Sequence, residues 1–487
     1  MHIEKKYLWF PINKKGTHEY LSLFCEGEKI HEFNIPFIQK QEAGYCEEYF
    51  ASVLVSEYIG KDIDFEGDFS DEYLNSIRNE NMPYNNVEPR PCLHFTANHG
   101  WINDPNGLVY DGQYYHLYFQ YNPFNCIWDN MMWGHATSTD LVNWIQHDVV
   151  LFPDENGMMF SGSGIKKDDK LYFFYTAAGA TRWSQSKLPT QRMAISQDGG
   201  LTLEKQPGVC VDVITKETRD PKVFWHEKSD AYIMVLYIDA NDFGIFRSKD
   251  LYNWNPTQRL TLPDAWECPD LIPFNVDGRE VWVFIAADGF FYAGDFDGYE
   301  FKTDGIKHEA YANKVPYAAQ SYSGIKDRTI QIPWLKLNAN GINYNGAMGY
   351  PRELSLCRLE DALSLSMKLP KEVADRFVVC DKVPDKGPFN LVIEDVGDCN
   401  WTFFSGDTKI SYQAAERTII IDDKSYKMLP ESRGIFLAID YNILEVTQGD
   451  NLLLGAYLLS GNTNTIVWES DFKPKVTVYR MEELWQH

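Results

Sequence analysis

No run of this chain approaches the about 20 consecutive apolar residues that a membrane-spanning helix requires, which excludes a helical span. No CxxC pair occurs among the nine cysteines, scattered at 25, 46, 92, 126, 210, 268, 357, 380 and 399. Neither a zinc site nor a disulfide framework is indicated, and separated thiols in odd number suit a reducing compartment. The opening residues Met1-His2-Ile3-Glu4-Lys5-Lys6 lead into no apolar signal core, so the expected location is the cytoplasm. Positive charge is in deficit: 45 Lys and Arg face 70 Asp and Glu, a formal net charge of −25. That surplus keeps the chain soluble and repels phosphate backbones and anionic lipid, so neither nucleic acid nor a membrane is expected as a partner. Long helical periodicity is nearly absent; residues 70–78 and 359–374 are the exceptions.

Aromatic residues are plentiful, at 15% with 14 Trp and 29 Tyr, which suits all-β packing or stacking against sugars. A hydrophobic share of 44% in 487 residues supports a large core divided among about three domains. Short alternating or apolar runs at 114–121, 170–176, 231–237 and 280–286 end in Gly, Asp and Asn turns and read as strands.

Polar, motif-bearing positions recur along the chain at Asp104, Ser161, Asp220 and Glu267, with steps of 57, 59 and 47 residues. A second series, Ser138-Thr139-Asp140, Ser196-Gln197-Asp198 and Ser248-Lys249-Asp250, steps by 58 and 52, and a weaker copy follows at Asp295-Phe296-Asp297. Two of these turns end in a tryptophan, Trp144 and Trp254, suited to packing between repeats. An interval near fifty residues is the signature of propeller blades. One series marks the inner strand of each blade and the other an outer hairpin, where Ser and Asp side chains bond local amides. A fifth inner strand falls at residues 317–321. The expected architecture is all-β: a five-bladed propeller over residues 91–357, with a small β module at 1–88 before it and a β-sandwich at 376–487 after it. Successive inner strands return the carboxylates to one axis, which builds a single acidic pocket.

Trp101-Ile102-Asn103-Asp104-Pro105-Asn106-Gly107, Arg219-Asp220-Pro221-Lys222 and Glu267-Cys268-Pro269-Asp270 resemble the three signature motifs of glycoside hydrolase family 32, the family of invertases, inulinases, levanases and fructan exohydrolases. His116 to Pro123, Trp133-Gly134-His135-Ala136, Phe160-Ser161-Gly162-Ser163 and Pro351-Arg352-Glu353-Leu354 fit its pattern as well. The resemblance is close over residues 91–357 and loose beyond. It implies a five-bladed propeller followed by a β-sandwich, in agreement with the repeat count. The N-terminal module lies outside that core architecture, and Asn98-His99 stand where a small residue or proline is commoner.

Hydrolysis of a glycosidic bond with retention needs two carboxyl groups about 5–5.5 Å apart. By resemblance, Asp104 is the nucleophile that attacks C2 of a fructosyl unit, and Glu267 is the acid/base, which must hold a proton at working pH. Asp220 would stabilise the transition state by accepting hydrogen bonds from sugar hydroxyls. Asn103, Gln120, Trp128, Phe160, Ser161, Arg219, Tyr317 and Trp334 match positions around the sugar. No cofactor or metal is implied. The expected activity is that of a retaining β-fructofuranosidase on sucrose, fructo-oligosaccharides or fructans. Sucrose 6-phosphate ranks lower because no basic cluster is evident. A non-catalytic glycan-binding propeller and an inverting five-bladed arabinan or xylan hydrolase stay open as alternatives, as do transfructosylation and a homo-oligomeric state.

Overall fold

In a computed structural model describing residues 1–38, 47–86, 88–337, 343–359, 362–461 and 463–482, the chain is built almost wholly of antiparallel sheets. Five consecutive units, each a path of four antiparallel strands and two of them with a short fifth strand added, form the propeller, at residues 100–151, 159–205, 219–261, 270–309 and 316–368. Their innermost strands are Gly100–Tyr110, Met159–Lys167, Arg219–His226, Asp270–Val276 and Pro316–Ser321. Burial falls outward within a blade. Tyr115–Asn122, second in its blade, is buried at every residue, whereas the outermost strand Phe301–Glu309 is mostly exposed. Radial repetition of this kind leaves only short sheet edges.

The Ser-x-Asp series occupies one topological place, the turn between the third and fourth strands of a blade. Asp140 accepts from the amides of Val142 and Asn143, and Asp250 from those of Tyr252 and Asn253. Asp198 does the same for Thr202, and Asp297 for Tyr299 and Glu300. Trp254 packs edge-on to Phe174 of the preceding blade at 5.6 Å. The corresponding turn of blade 5 includes residues outside those described.

Among the described residues of 359–374, extended structure prevails over helix. Ala362–Lys368 is the outer strand of blade 5, and only Lys371–Ala374 makes a helical turn. Leu365 and Met367 alternate with polar residues and are buried against blade 4, so period two prevails. The propeller thus runs to residue 368. Within 70–78, Asp71–Ser76 is helical, with Ser70 accepting from the Tyr73 amide at 3.2 Å.

Beyond the ring, a six-stranded and a five-stranded sheet pack face to face around Trp401, Phe403, Leu437 and Val446. At the N-terminus two three-stranded sheets enclose Phe10, Phe33 and Leu21, and this core continues into blade 1 through Phe124 and Met132. The short strand Tyr344–Asn345 runs parallel to Gly100–Trp101 and helps to close the ring between blades 5 and 1.

Candidate active site

The innermost strands do not pair regularly at the motif residues. The register skips Asn103 and Asp104 in blade 1, Ser161 in blade 2, Asp220 and Pro221 in blade 3, and Ala318 and Ala319 in blade 5. Each irregularity is a bulge at the same end of the ring, and a bulge re-aims the side chain it carries. Asp220 takes a left-handed φ of 64° to do so. In blade 4 the bend precedes the strand, with Glu267 at φ 35° and Cys268 at φ 41°. The Ala287 amide holds it by bonding the carbonyls of Trp266 and Glu267. Positive φ at consecutive non-glycine residues costs energy and is retained where surroundings enforce it.

The bends bring Asp104, Asp220 and Glu267 together. The Ser161 hydroxyl donates to Asp104 Oδ2 at 2.6 Å. The Cys268 amide donates to Asp220 Oδ2 at 3.1 Å, and its Sγ lies 3.4 Å from that oxygen and 3.7 Å from Asp104 Oδ2. Arg219 reaches Glu267 Oε2 with Nε at 3.1 Å and Nη2 at 2.6 Å, and the Tyr317 hydroxyl donates to the other oxygen. The pocket at the cluster is lined by Ser161, Asp220 and Cys268 together with Pro105, Gly162, Pro221, Pro269 and Gln320. The buried Lys222 and Asp270 pair there at 3.3 Å and tie blades 3, 4 and 5, since both also bond the Ser321 backbone.

Three acids with one guanidinium cannot all ionise freely. Burial pushes Asp220 up to about 7; Arg219 pulls against this, and Glu267 and Asp104 add to it. Asp104 is raised by burial and by Glu267, against the hydrogen bonds from Ser161 and Asn103. Asp288 is raised to about 6, chiefly by burial, with a contribution from Glu267. Asp220, Asp104 and Asp288 therefore hold their protons to higher pH than ordinary aspartates do.

The other sequence-derived candidates divide into a rim and a support. Trp128 is 49% exposed and stands edge-on to Phe160 at 5.8 Å. Trp334 is buried, edge-on to Trp101 and to Tyr317 at 5.7 and 6.3 Å. Asn103 is buried and accepts from Trp101 Nε1. Gln120 lies behind this layer, buried, with its amide donating to the Met159 carbonyl. Sequence reasoning gave no role to Cys268 or Lys336. The Lys336 ammonium sits over the Tyr317 ring, 2.9 Å from its centroid; its place two residues after Trp334, on the same face of an extended chain, was the available signal. Tyr237 was also missed; it stacks beneath the Arg219 guanidinium at 4.6 Å.

Comparison with known proteins agrees with this geometry. The family model described as the glycosyl hydrolases family 32 N-terminal domain matches residues 94–366. A levanase of Bacillus subtilis (strain 168) is 33% identical over 327 residues, covering 60% of this chain and 48% of the levanase. An exo-inulinase structure from Aspergillus awamori has a TM-score of 0.70 at 23% identity and covers 82% of this chain and 100% of its own. A glycoside hydrolase family 32 structure from Bifidobacterium adolescentis has a TM-score of 0.68 at 19% identity over 100% of this chain and 99% of its own, so the likeness in fold takes in the N-terminal module. The chain spans about half to two thirds of the length of the curated relatives it matches.

Proposed function

Because the chain belongs to glycosyl hydrolase family 32, we propose that it is a retaining β-fructofuranosidase acting on terminal non-reducing fructosyl units of sucrose, fructo-oligosaccharides or fructans. The observation that carries this reading is the meeting of Asp104, Asp220 and Glu267 at one end of the ring, linked through Cys268 and Arg219. Asp104 attacks C2 as Glu267 gives its proton to the leaving glycosidic oxygen. Water, deprotonated by Glu267, then attacks C2 of the fructosyl ester and frees Asp104. The Ser161 hydroxyl orients the nucleophile, and Arg219 with Tyr317 orients the acid/base. Asp220 accepts from fructosyl hydroxyls as positive charge develops on the ring. Trp128 and Phe160 offer apolar faces to the sugar's C–H groups. Cys25, Cys92, Cys210, Cys268, Cys357, Cys380 and Cys399 are free thiols, which supports a cytoplasmic setting and small imported substrates.

The test is fructose release from sucrose, kestose, inulin and levan, with the anomer of the first-formed product read by NMR. Glu267→Gln is expected to lower kcat by roughly 10²–10⁴-fold, and Asp104→Asn to abolish turnover. Full activity in both variants, or an inverted product, would overturn the assignment. Glycan binding without turnover by the wild type would favour the binding-module alternative.

A further inference from the structure

A second, open cleft lies where the N-terminal module meets blades 1 and 2. Its walls include Tyr20 and Glu32 from the module, Asp129 and Asn130 from the loop after the second strand of blade 1, and Trp183 from blade 2. Resemblance assigns nothing here, because the module lies outside the family's core architecture.

Three observations make this a built site rather than a gap between domains. The first is Glu32, 6% exposed. Its Oε2 accepts from Ser22 and Lys29 at 2.9 and 2.7 Å, and Arg182 approaches at 3.4 Å, yet its Oε1 is buried with no partner. A buried carboxylate oxygen without a donor costs free energy until a ligand or water supplies one. The second is the pair of aromatic faces held by cations: Arg182 lies over Tyr20 at 5.3 Å and Lys29 over Trp183 at 5.4 Å. These contacts fix the rings and balance the Glu32 charge. The third is continuity with the catalytic rim. Asp129 follows Trp128 in the chain and Met158, also in the cleft, precedes Phe160 by two residues, so consecutive Cα steps of about 3.8 Å join the two sites. The module grips this loop directly: the Asn34 amide donates to Asn130 Oδ1 at 2.8 Å, and Asn34 Nδ2 to Asp129 Oδ2 at 2.7 Å.

Aromatic faces beside carboxylate and amide acceptors suit a neutral, hydroxyl-rich ligand, whose C–H faces lie on the rings while its hydroxyls bond the acids. The acidic walls disfavour anions. We propose that this cleft is a distal sugar subsite, contributed by the N-terminal module, that binds the leaving-group end of an oligosaccharide whose terminal fructosyl unit sits among Asp104, Asp220 and Glu267. The module then acts as a chain-length selector. This rests on the fructosidase reading for its catalytic consequence, but not for binding itself.

The experiment compares wild type, Trp183→Ala, Trp183→Phe and Glu32→Gln, with thermal unfolding as a check on folding. kcat/KM is measured on the disaccharide sucrose, which has a single unit beyond the fructosyl ring, and on the tetrasaccharide nystose. Nystose binding is measured separately by calorimetry in the Asp104→Asn background. Trp183→Ala and Glu32→Gln are expected to reduce nystose affinity and kcat/KM by about 5–10-fold while sucrose turnover changes less than about twofold, and Trp183→Phe restores most of the loss. An unchanged ratio of nystose to sucrose efficiency, together with unchanged nystose binding, overturns the subsite. Failure of the wild type to release fructose from either sugar overturns the fructosidase reading instead, and the cleft is then judged by the binding measurement alone.

Discussion

Burial holds the Asp220 carboxyl at about 7, with Arg219 opposing and Glu267 and Asp104 adding to the shift. An aspartate in an unfolded chain ionises near 3.9, so between those values the folded protein binds the extra proton. Its stabilising effect is complete below the lower value and is lost as pH rises through the upper one. Asp220→Asn removes this penalty. Its unfolding free energy should exceed that of the wild type by about 4 kcal/mol at pH 8 and match it near pH 4, as read by chemical denaturation across pH, while turnover collapses. A gain equal at both pH values would point to packing instead. The convergence of the three acids is legible in the sequence because each sits in a turn-forming motif at the blade interval. Cys268 is not, because its thiol reaches Asp104 and Asp220 only through a left-handed bend that no propensity announces. Lys336 directly follows the second strand of blade 5, a position that neither repeat series marks.

The inner strands bend because their bulges leave motif residues unpaired, and a bulge demands room on the partner strand. Gly162 supplies that room: a Cβ there would lie 1.8 Å from the Phe174 carbonyl oxygen. Gly162→Ala should destabilise the protein by about 1–3 kcal/mol and lower kcat as Ser161 shifts from Asp104, whereas Gly208→Ala, which meets nothing within 4 Å, should leave both unchanged. Thermal unfolding and initial rates on sucrose check the pair. The blade count was readable because the Ser-x-Asp turns are local chemistry, closed within five residues. The bulges were not, because skipped register is a property of two strands and only one of them carries the motif. Between the helical and the extended reading open for residues 359–376, the sequence could not choose: Lys, Leu and Met suit a helix in isolation, but the face offered by blade 4 rewards the alternation of Ala362–Lys368.

The sandwich and the ring meet in a network of buried charge. Asp440 accepts from the amides of Cys92, Leu93 and His94 and from His94 Nδ1 at 3.1 Å. Glu445 bonds the Tyr350 amide at 2.8 Å, pairs with Arg352, and lies 3.3 Å from His94 Nε2. Burial works against the His94 charge, yet Asp440 and Glu445 raise its pKa overall, so its contribution is full below about 6.5 and is lost as pH climbs through the higher folded value. Glu445 is held down to about 2 against its burial, chiefly by Arg352, so its contribution is present above about 4.3 and is lost as pH falls toward 2. Arg352→Met should cost about 3–5 kcal/mol by stranding Glu445, and the added Glu445→Leu should recover most of it; denaturant unfolding of the single and double variants measures both.

That network also has a direction in time. The segment leading into blade 1 and the third strand of blade 5 are the two lips of the ring, and one short hairpin from the C-terminal sandwich, 435–448, latches both. Asp104 and Tyr317 belong to the blades on either side of that join. A ribosome delivers all five blades before it delivers this hairpin, so the ties through Asp440 and Glu445 are the last of the ring's bonds that the growing chain can make.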